Sequence, residues 1–232
     1  MKVDRTLHIG NKNYSSWSLR VWLLMRELAI PFNEVLHPFD VISGNEAEFK
    51  TFAPNARVPC LHDQGQVVWD SLAIFEYLAE SWPVWPNQSA ARIYSRSACA
   101  EIHSGFEAIR SQCPMNCALE IRVDDVPVEV ERDLRRLDDM MVEGLTTFGG
   151  PFIGGGSFSG IDAFLAPMLL RISGYHLPLS RAARDYQTLL LARPGLTQWV
   201  KEAREEPWRE PIEDEASLAR GELVNDFRPG PR

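Results

Sequence analysis

Asn13-Tyr14-Ser15-Ser16-Trp17-Ser18-Leu19-Arg20 is the stretch that decides how this chain reads. A short apolar run, Leu7 and Ile9, precedes it, and Trp17, Val21, Leu24 and Leu28 follow at helical spacing. Two hydroxyls therefore stand where a first strand turns into a first helix. A helix N-terminus presents unpaired backbone N–H groups and the positive end of a dipole. Hydroxyls placed there cap the helix or donate to an anion held in front of it. Taken alone, a serine before a helix is a plain N-cap.

Outward from this point the first third mixes strands and helices. Residues 6–10 read as a strand, 17–29 as a helix ended by Pro31, and 32–36 as a second strand. Residues 58–62 and 67–69 flank Asp63-Gln64-Gly65-Gln66, a hairpin signal. A helix opens at Ser71 with Leu72, Phe75 and Leu78 on one face. The order β-α-β then β-β-α predicts one parallel and one antiparallel pairing. Trp82-Pro83-Val84-Trp85-Pro86-Asn87-Gln88 breaks the pattern, its prolines making a semi-rigid linker. The expected division is a domain at 1–82, a linker at 83–88 and a second domain at 89–232.

Beyond the linker every periodic segment reads as helical. Tyr94, Ala98, Ile102, Phe106 and Ile109 mark one stripe; Val130, Leu134, Leu137 and Met141 mark the next, with Pro127 suited to a first helical position. Gly149-Gly150 and Gly154-Gly155-Gly156 read as loop, with no Lys-Ser/Thr after them to make a phosphate cradle. Ser159 and Asp162 fit a capping box with Asp in the usual Glu or Gln place, before a buried face of Ile161, Leu165, Met168 and Ile172. Asp162 thus reads as helix nucleation, not as a catalytic carboxylate. Pro167 should bend that helix. Further helices run over 180–192 and 196–205, and the polar, Pro/Arg-rich tail from Pro207 is expected to be loosely held.

The bulk composition narrows the function classes. The 232 residues are 45% hydrophobic, enough for a proper core, and the net charge of −8 argues against a nucleic-acid or anionic-membrane partner. No apolar stretch reaches the roughly 20 residues that span a bilayer, and residues 1–13 hold no apolar signal-peptide core. Cys60, Cys99, Cys113 and Cys117 form no Cys-x-x-Cys pair, so neither a metal site nor a disulfide framework is expected. A reducing, cytoplasmic location is the default.

Three N-terminal features converge: Ser15-Ser16 at a helix start, Ala56-Arg57-Val58-Pro59 before a strand, and Asp70-Ser71 at the next helix start. With the helical second half, their order and spacing resemble the glutathione transferase superfamily from about residue 6 to 205. The Tyr-Ser-Ser-Trp-Ser-Leu-Arg segment is similar to serine-type members, above all the zeta class. There a Ser-Ser-Cys segment stands here and an Arg follows the first Ser by five positions, as Arg20 follows Ser15. Trp17 occupies the place of that Cys.

The resemblance implies a fold, a chemistry and a set of sites. The fold would be α+β, a thioredoxin-like N-terminal domain followed by an all-α C-terminal domain. The chemistry would be activation of the glutathione thiol for addition to a small electrophile, with glutathione as co-substrate and no metal. A free thiol has a pKa near 8.5 and only its thiolate attacks; a hydroxyl donor and a helix N-terminus both favour the thiolate. Ser15 would be that donor, with Ser16 as the alternative. Trp17, Val58, Pro59, Asp70 and Ser71 would bind glutathione: Val58 by backbone pairing beside a cis proline, Ser71 through the γ-glutamyl carboxylate as it caps its helix, Asp70 through the ammonium. Read singly, Val58-Pro59 is an ordinary loop proline and Asp70-Ser71 a simple cap. Lys50 and His37 are lesser candidates for the glycine end. The electrophile would lie between the domains, against a helix presenting His103, Phe106 and Arg110 at 3- and 4-residue steps. Arg110 there either meets an anionic substrate or pairs with Glu107.

The family further implies a homodimer and a role in glutathione metabolism and detoxification. Two rivals keep the fold. One is a glutathione-dependent cis-trans isomerase of the maleylacetoacetate type; the other is a non-catalytic binding protein.

Overall fold

The computed structural model describes residues 4–39 and 44–229. The start of the polar N-terminal stretch (1–3) and the last residues of the Pro/Arg-rich tail (230–232) lie outside them, as do residues 40–43.

The first third forms β1 (Arg5–Ile9), α1 (Ser16–Glu27), β2 (Asn33–Leu36), α2 (Glu46–Phe49), β3 (Cys60–Asp63), β4 (Gln66–Trp69) and α3 (Ser71–Ala79). These strands make one sheet in the order β2-β1-β3-β4. β1 pairs parallel with β2, Thr6 opposite Asn33, and antiparallel with β3, Leu7 opposite Leu61. The parallel pair follows from the α1 crossover and the antiparallel β3–β4 pair from the two-residue turn Gln64-Gly65. Both turn residues hold positive φ, 49° and 81°, as a tight hairpin turn requires. Thus the mixed sheet and its helices stand as the thioredoxin-like arrangement the sequence implied.

The second half contains α4 (Ser89–Ser104), α5 (Glu107–Gln112), β5 (Leu119–Arg122), α6 (Val128–Phe148), α7 (Gly160–Gly174), α8 (Arg181–Leu191), α9 (Pro194–Glu205), α10 (Pro211–Leu218) and β6 (Glu222–Asp226). Helix α7 is buried along nearly its whole length and packs against α1, which joins the two halves. Phe164 of α7 meets Phe75 of α3 edge-on at 5.0 Å, and Trp22 of α1 meets Trp199 of α9 at 5.2 Å. One large core cluster spans both halves, and a smaller one gathers Phe49, Phe52, Ala53 and Cys60.

Asp162 anchors α7 as the sequence suggested. Its carboxylate accepts from the Ser159 N–H at 2.8 Å, the Ser159 hydroxyl at 3.2 Å, the Ile153 N–H at 3.1 Å and the Tyr186 hydroxyl at 2.8 Å. Burial nevertheless pushes its pKa up to about 6.

The structure departs from the sequence reading at four places. The stripe from Tyr94 to Ile109 is two helices: α4 stops at Ser104, and Phe106 takes a left-handed φ of 60° before α5. Pro127 is the N-cap of α6, one residue outside the helix. The half expected to be all helical carries an antiparallel ribbon, β5–β6, with Leu119 opposite Asp226. The tail from 208 to 229 folds into α10 and β6 and returns across the molecule, the Phe227 N–H donating to the Ala118 carbonyl at 2.8 Å.

Candidate active site

The β1–α1 loop places both serines at the start of α1. Ser15 is the N-cap and Ser16 the first helical residue, each 5% exposed. The Ser15 hydroxyl makes no capping bond to its own helix; it donates to Ser18 Oγ at 2.7 Å, which also accepts from the Gly10 N–H at 3.2 Å. Ser16 Oγ accepts from Arg171 Nη2 at 3.3 Å, so its own proton is left to point elsewhere.

Two cavities meet at this helix end. The larger, about 370 Å³, is lined by Ser15, Ser16, Arg110, Arg171 and Glu213 among others. The smaller, about 240 Å³, holds Pro59, Asp70, Ser71 and His103. Trp17, Arg57 and Val58 line both, so the two form one groove with the serines toward one end and Asp70-Ser71 at the other. The Val58-Pro59 bond is cis, and Val58 is half-buried.

At the Asp70-Ser71 end the helix cap is Asp70 rather than Ser71: its carboxylate accepts from the Leu72 N–H at 2.8 Å. The one-residue shift leaves Ser71 as the first helical residue, its backbone N–H unpaired within the helix. Asp70 holds φ at 73°, a backbone state that costs a non-glycine residue about 1–3 kcal/mol and concentrates at ligand sites. Its other oxygen lies 3.4 Å from His103 Nε2. Ser71 Oγ accepts a long bond, 3.4 Å, from Nη1 of the fully buried Arg20. Arg20 lies 4.1 Å from the Trp17 ring and 4.2 Å from that of Phe164, and its Nε and Nη2 have no hydrogen-bond partner among the described residues. Burial, reinforced by Arg110 and Arg171, lowers its pKa well below the usual guanidinium value.

The three residues proposed for the electrophile separate. Arg110 lines the larger cavity, held by the Gly105 carbonyl (3.0 Å from Nε) and the Ile102 carbonyl, 5.1 Å from the Trp17 ring. It makes no ion pair with Glu107 among the described residues. His103 lines the smaller cavity, edge-on to Trp17 at 5.1 Å. Phe106 lines neither; it is a core side chain, at the break between α4 and α5. His37 is tied to His8 at 2.9 Å and Glu48 at 2.8 Å, and Lys50 to Glu46 on an exposed turn; neither lines the groove.

Sequence reasoning missed Arg171 and Glu213. Arg171 is 7% exposed, bonded through Nη1 to the Cys113 carbonyl at 2.6 Å, with Nε unpartnered among the described residues. Burial, with Arg110 nearby, lowers its pKa to about 10, so it stays cationic at neutral pH. The available signal was a single charge in the otherwise apolar run Ile161–Ile172 beyond the Asp162 cap, since a buried charge has a large desolvation cost that ordinary packing does not return. Glu213 gave no local signal, as it reaches the cavity only because the tail folds back.

The four thiols are free and buried. Burial pushes Cys60 and Cys113 up to about 11, Cys117 to about 12 and Cys99 well above its ordinary value, so all stay protonated and inert at neutral pH.

Known proteins share this arrangement. Residues 14–81 match the glutathione S-transferase N-terminal domain and residues 95–202 the C-terminal domain. The chain is 23% identical over 211 residues to glutathione S-transferase GstB of Escherichia coli K12, covering 86% of the chain and 93% of that protein. It is 29% identical over 100 residues to a "Probable maleylacetoacetate isomerase" of Caenorhabditis elegans, a match spanning 41% of the chain and 45% of that relative. Among solved structures, a Burkholderia glutathione transferase homologue with bound glutathione superposes with a TM-score of 0.62 at 22% identity, over 87% of this chain and 98% of that one. Ure2p in complex with glutathione gives a TM-score of 0.64 at 17% identity, over 84% and 97%. These likenesses fix the fold, and with the two matched domains they place the chain in the glutathione S-transferase family.

Proposed function

We propose that the protein is a glutathione transferase acting on a small anionic electrophile. The observation that carries this reading is the single groove that joins Asp70-Ser71 to Ser15-Ser16 and then to Arg110 and Arg171. Glutathione lies along it, its γ-glutamyl carboxylate on the N–H and hydroxyl of Ser71 and its ammonium toward Asp70. The backbone of Val58 pairs with the cysteinyl unit, and Trp17 flanks the peptide. The sulfur sits before the N-terminus of α1, where the helix dipole and the Ser15 hydroxyl favour thiolate. Ser15 can turn its proton to sulfur without loss, because the Ser18 hydroxyl can then donate to Ser15 in its place. Ser16 and Arg171 face the electrophile together with Arg110. Neither guanidinium has a carboxylate partner within ion-pair distance among the described residues. A cavity holding two such cations favours a carboxylate or similar anion. The assembly in this reading is a homodimer, cytoplasmic and part of glutathione metabolism.

The same two arginines favour a second reading, glutathione-dependent cis-trans isomerisation of an unsaturated acid. Thiol addition and elimination then return glutathione unchanged. The test follows free glutathione beside product, using an aromatic electrophile bearing a carboxylate and a cis-unsaturated dicarboxylate. Stoichiometric loss of glutathione marks transfer, and turnover without loss marks isomerisation. Glutathione binding without turnover of either would leave a binding protein and overturn both.

A further inference from the structure

The C-terminal segment does more than cover the core. The loop 11–14, which delivers Ser15 to the helix start, has most of its outward bonds to residues far along the chain. The N–H groups of Lys12 and Asn13 donate to the buried Glu206 carboxylate at 2.7 and 3.2 Å. The Lys12 carbonyl accepts from Trp199 Nε1 at 2.9 Å, and the Asn13 carbonyl from the Cys117 N–H at 3.3 Å. Tyr14, the residue before Ser15, donates its hydroxyl to Asp214 Oδ1 at 3.0 Å and accepts from the Glu210 N–H at 3.2 Å.

Asp214 is the knot of this arrangement. Its buried carboxylate also accepts from Asn116 Nδ2 at 2.8 Å and from Arg228 Nη1 at 3.0 Å. Asn116 in turn accepts from Asn13 Nδ2 at 3.1 Å. One carboxylate on α10 thus holds Tyr14 directly and Asn13 through one intermediary. The adjacent residue, Glu213, lines the larger cavity beside Arg110 and Arg171. Tyr14 itself is fully engaged, and burial pushes its pKa up to about 12, so it remains a neutral donor to Asp214 rather than an activator of sulfur.

We propose that Asp214 is a positioning residue for thiol activation, acting through Tyr14 to set the N-terminus of α1 and its Ser15 hydroxyl. The proposal rests on the reading of Ser15 as the donor to sulfur. Tyr14 and Ser15 are consecutive, so a shift of the Tyr14 backbone when its side chain is released carries the Ser15 hydroxyl with it. A misplacement of about 1 Å in a reacting group can cost on the order of 100-fold in rate. Helix α10 is therefore a working part of the site, although it lies about 200 residues away in sequence, as the separation of Tyr14 and Asp214 records.

Tyr14→Phe and Asp214→Ala in the full chain test this with two readouts. The first needs no glutathione: amide hydrogen exchange at Ser15 and Ser16 should quicken about tenfold or more while α7 amides keep their protection. The second is titration of glutathione bound to the protein, whose thiol pKa should rise in both variants. With it kcat should fall about tenfold and KM for glutathione stay within about twofold. At Ser15 and Ser16 the double variant should do no more than the stronger single one, since each alone breaks the Tyr14–Asp214 bond. Unchanged exchange in either folded variant overturns the positioning role, whatever the activity. Faster exchange with an unchanged thiol pKa makes Asp214 a structural brace only and also overturns it. Should Asp214→Ala fail to fold, Tyr14→Phe, which removes a single oxygen, decides alone. Wild-type protein that binds no thiolate would sink the functional reading, and the exchange arm would still judge whether Asp214 sets the loop.

Discussion

Arg171 Nη2 donates to Ser16 Oγ at 3.3 Å, linking a cation of the helical half to the serine pair of the other. The bond puts a guanidinium at the point where sulfur and electrophile would meet.

Arg171→Gln should therefore raise KM for a carboxylate-bearing electrophile by about 10- to 100-fold, the worth of one charged hydrogen bond of roughly 1.5–3 kcal/mol. KM for glutathione and turnover of an uncharged electrophile should stay near wild type. Steady-state kinetics with a matched charged and neutral pair measure this. Equal losses on both would show that Arg171 only supports the fold.

Ser71→Ala should weaken glutathione binding with less effect on kcat. In the proposed function the lost group faces the peptide's far end, at the Asp70 side of the groove, and the reacting sulfur lies near Ser15. Calorimetric titration of glutathione gives the answer directly. Wild-type affinity in Ser71→Ala would remove the γ-glutamyl contact from the account.

What the sequence made legible was local. Ser15 at a helix start, Val58-Pro59 before β3 and Asp70-Ser71 before α3 each announce themselves within a few residues, and the structure gathers them along one groove. Glu213 and Asp214 were out of reach, because each acquires its surroundings only when α10 docks on distant chain, and Arg171 showed only as a lone charge in an apolar run. The apolar stripe ran unbroken through Gly105, since Phe106 stays on the core side even in its left-handed turn; hence the missed break and the misplaced Phe106. The ribbon was missed because β6 is exposed at every residue and β5, which does alternate as Leu119-Glu120-Ile121-Arg122, is only four residues long.

Replacing Cys60, Cys99, Cys113 and Cys117 together by Ala or Ser should leave conjugation intact in the folded fraction. No thiol lines the larger cavity, and burial holds every one protonated. Stability should fall, as buried side chains are trimmed or made polar. A folded, inactive quadruple variant would revive a cysteine mechanism.

Asp162→Asn should lower the melting temperature while the folded fraction keeps its kcat and KM. Two carboxylate oxygens accept four bonds here, and an amide nitrogen cannot accept its share. The folded pKa of about 6 lies above the ordinary 3.8, so the proton binds more tightly to the folded state. The wild-type advantage is therefore greatest at low pH and should narrow as pH rises from about 4 to about 6. Melting curves of both proteins across that window check the sign. A gap that widened with pH would contradict the raised pKa, and a stable variant with collapsed kcat would make Asp162 catalytic.

The most direct measurement is the ultraviolet titration of glutathione bound to wild type and to Ser15→Ala. The account predicts a bound thiol pKa well below the free value near 8.5 in wild type, raised in Ser15→Ala with a rate loss of about 10- to 100-fold. A bound thiol that titrates like free glutathione in wild type, or an identical pKa in the two proteins, would contradict the claim that Ser15 activates sulfur.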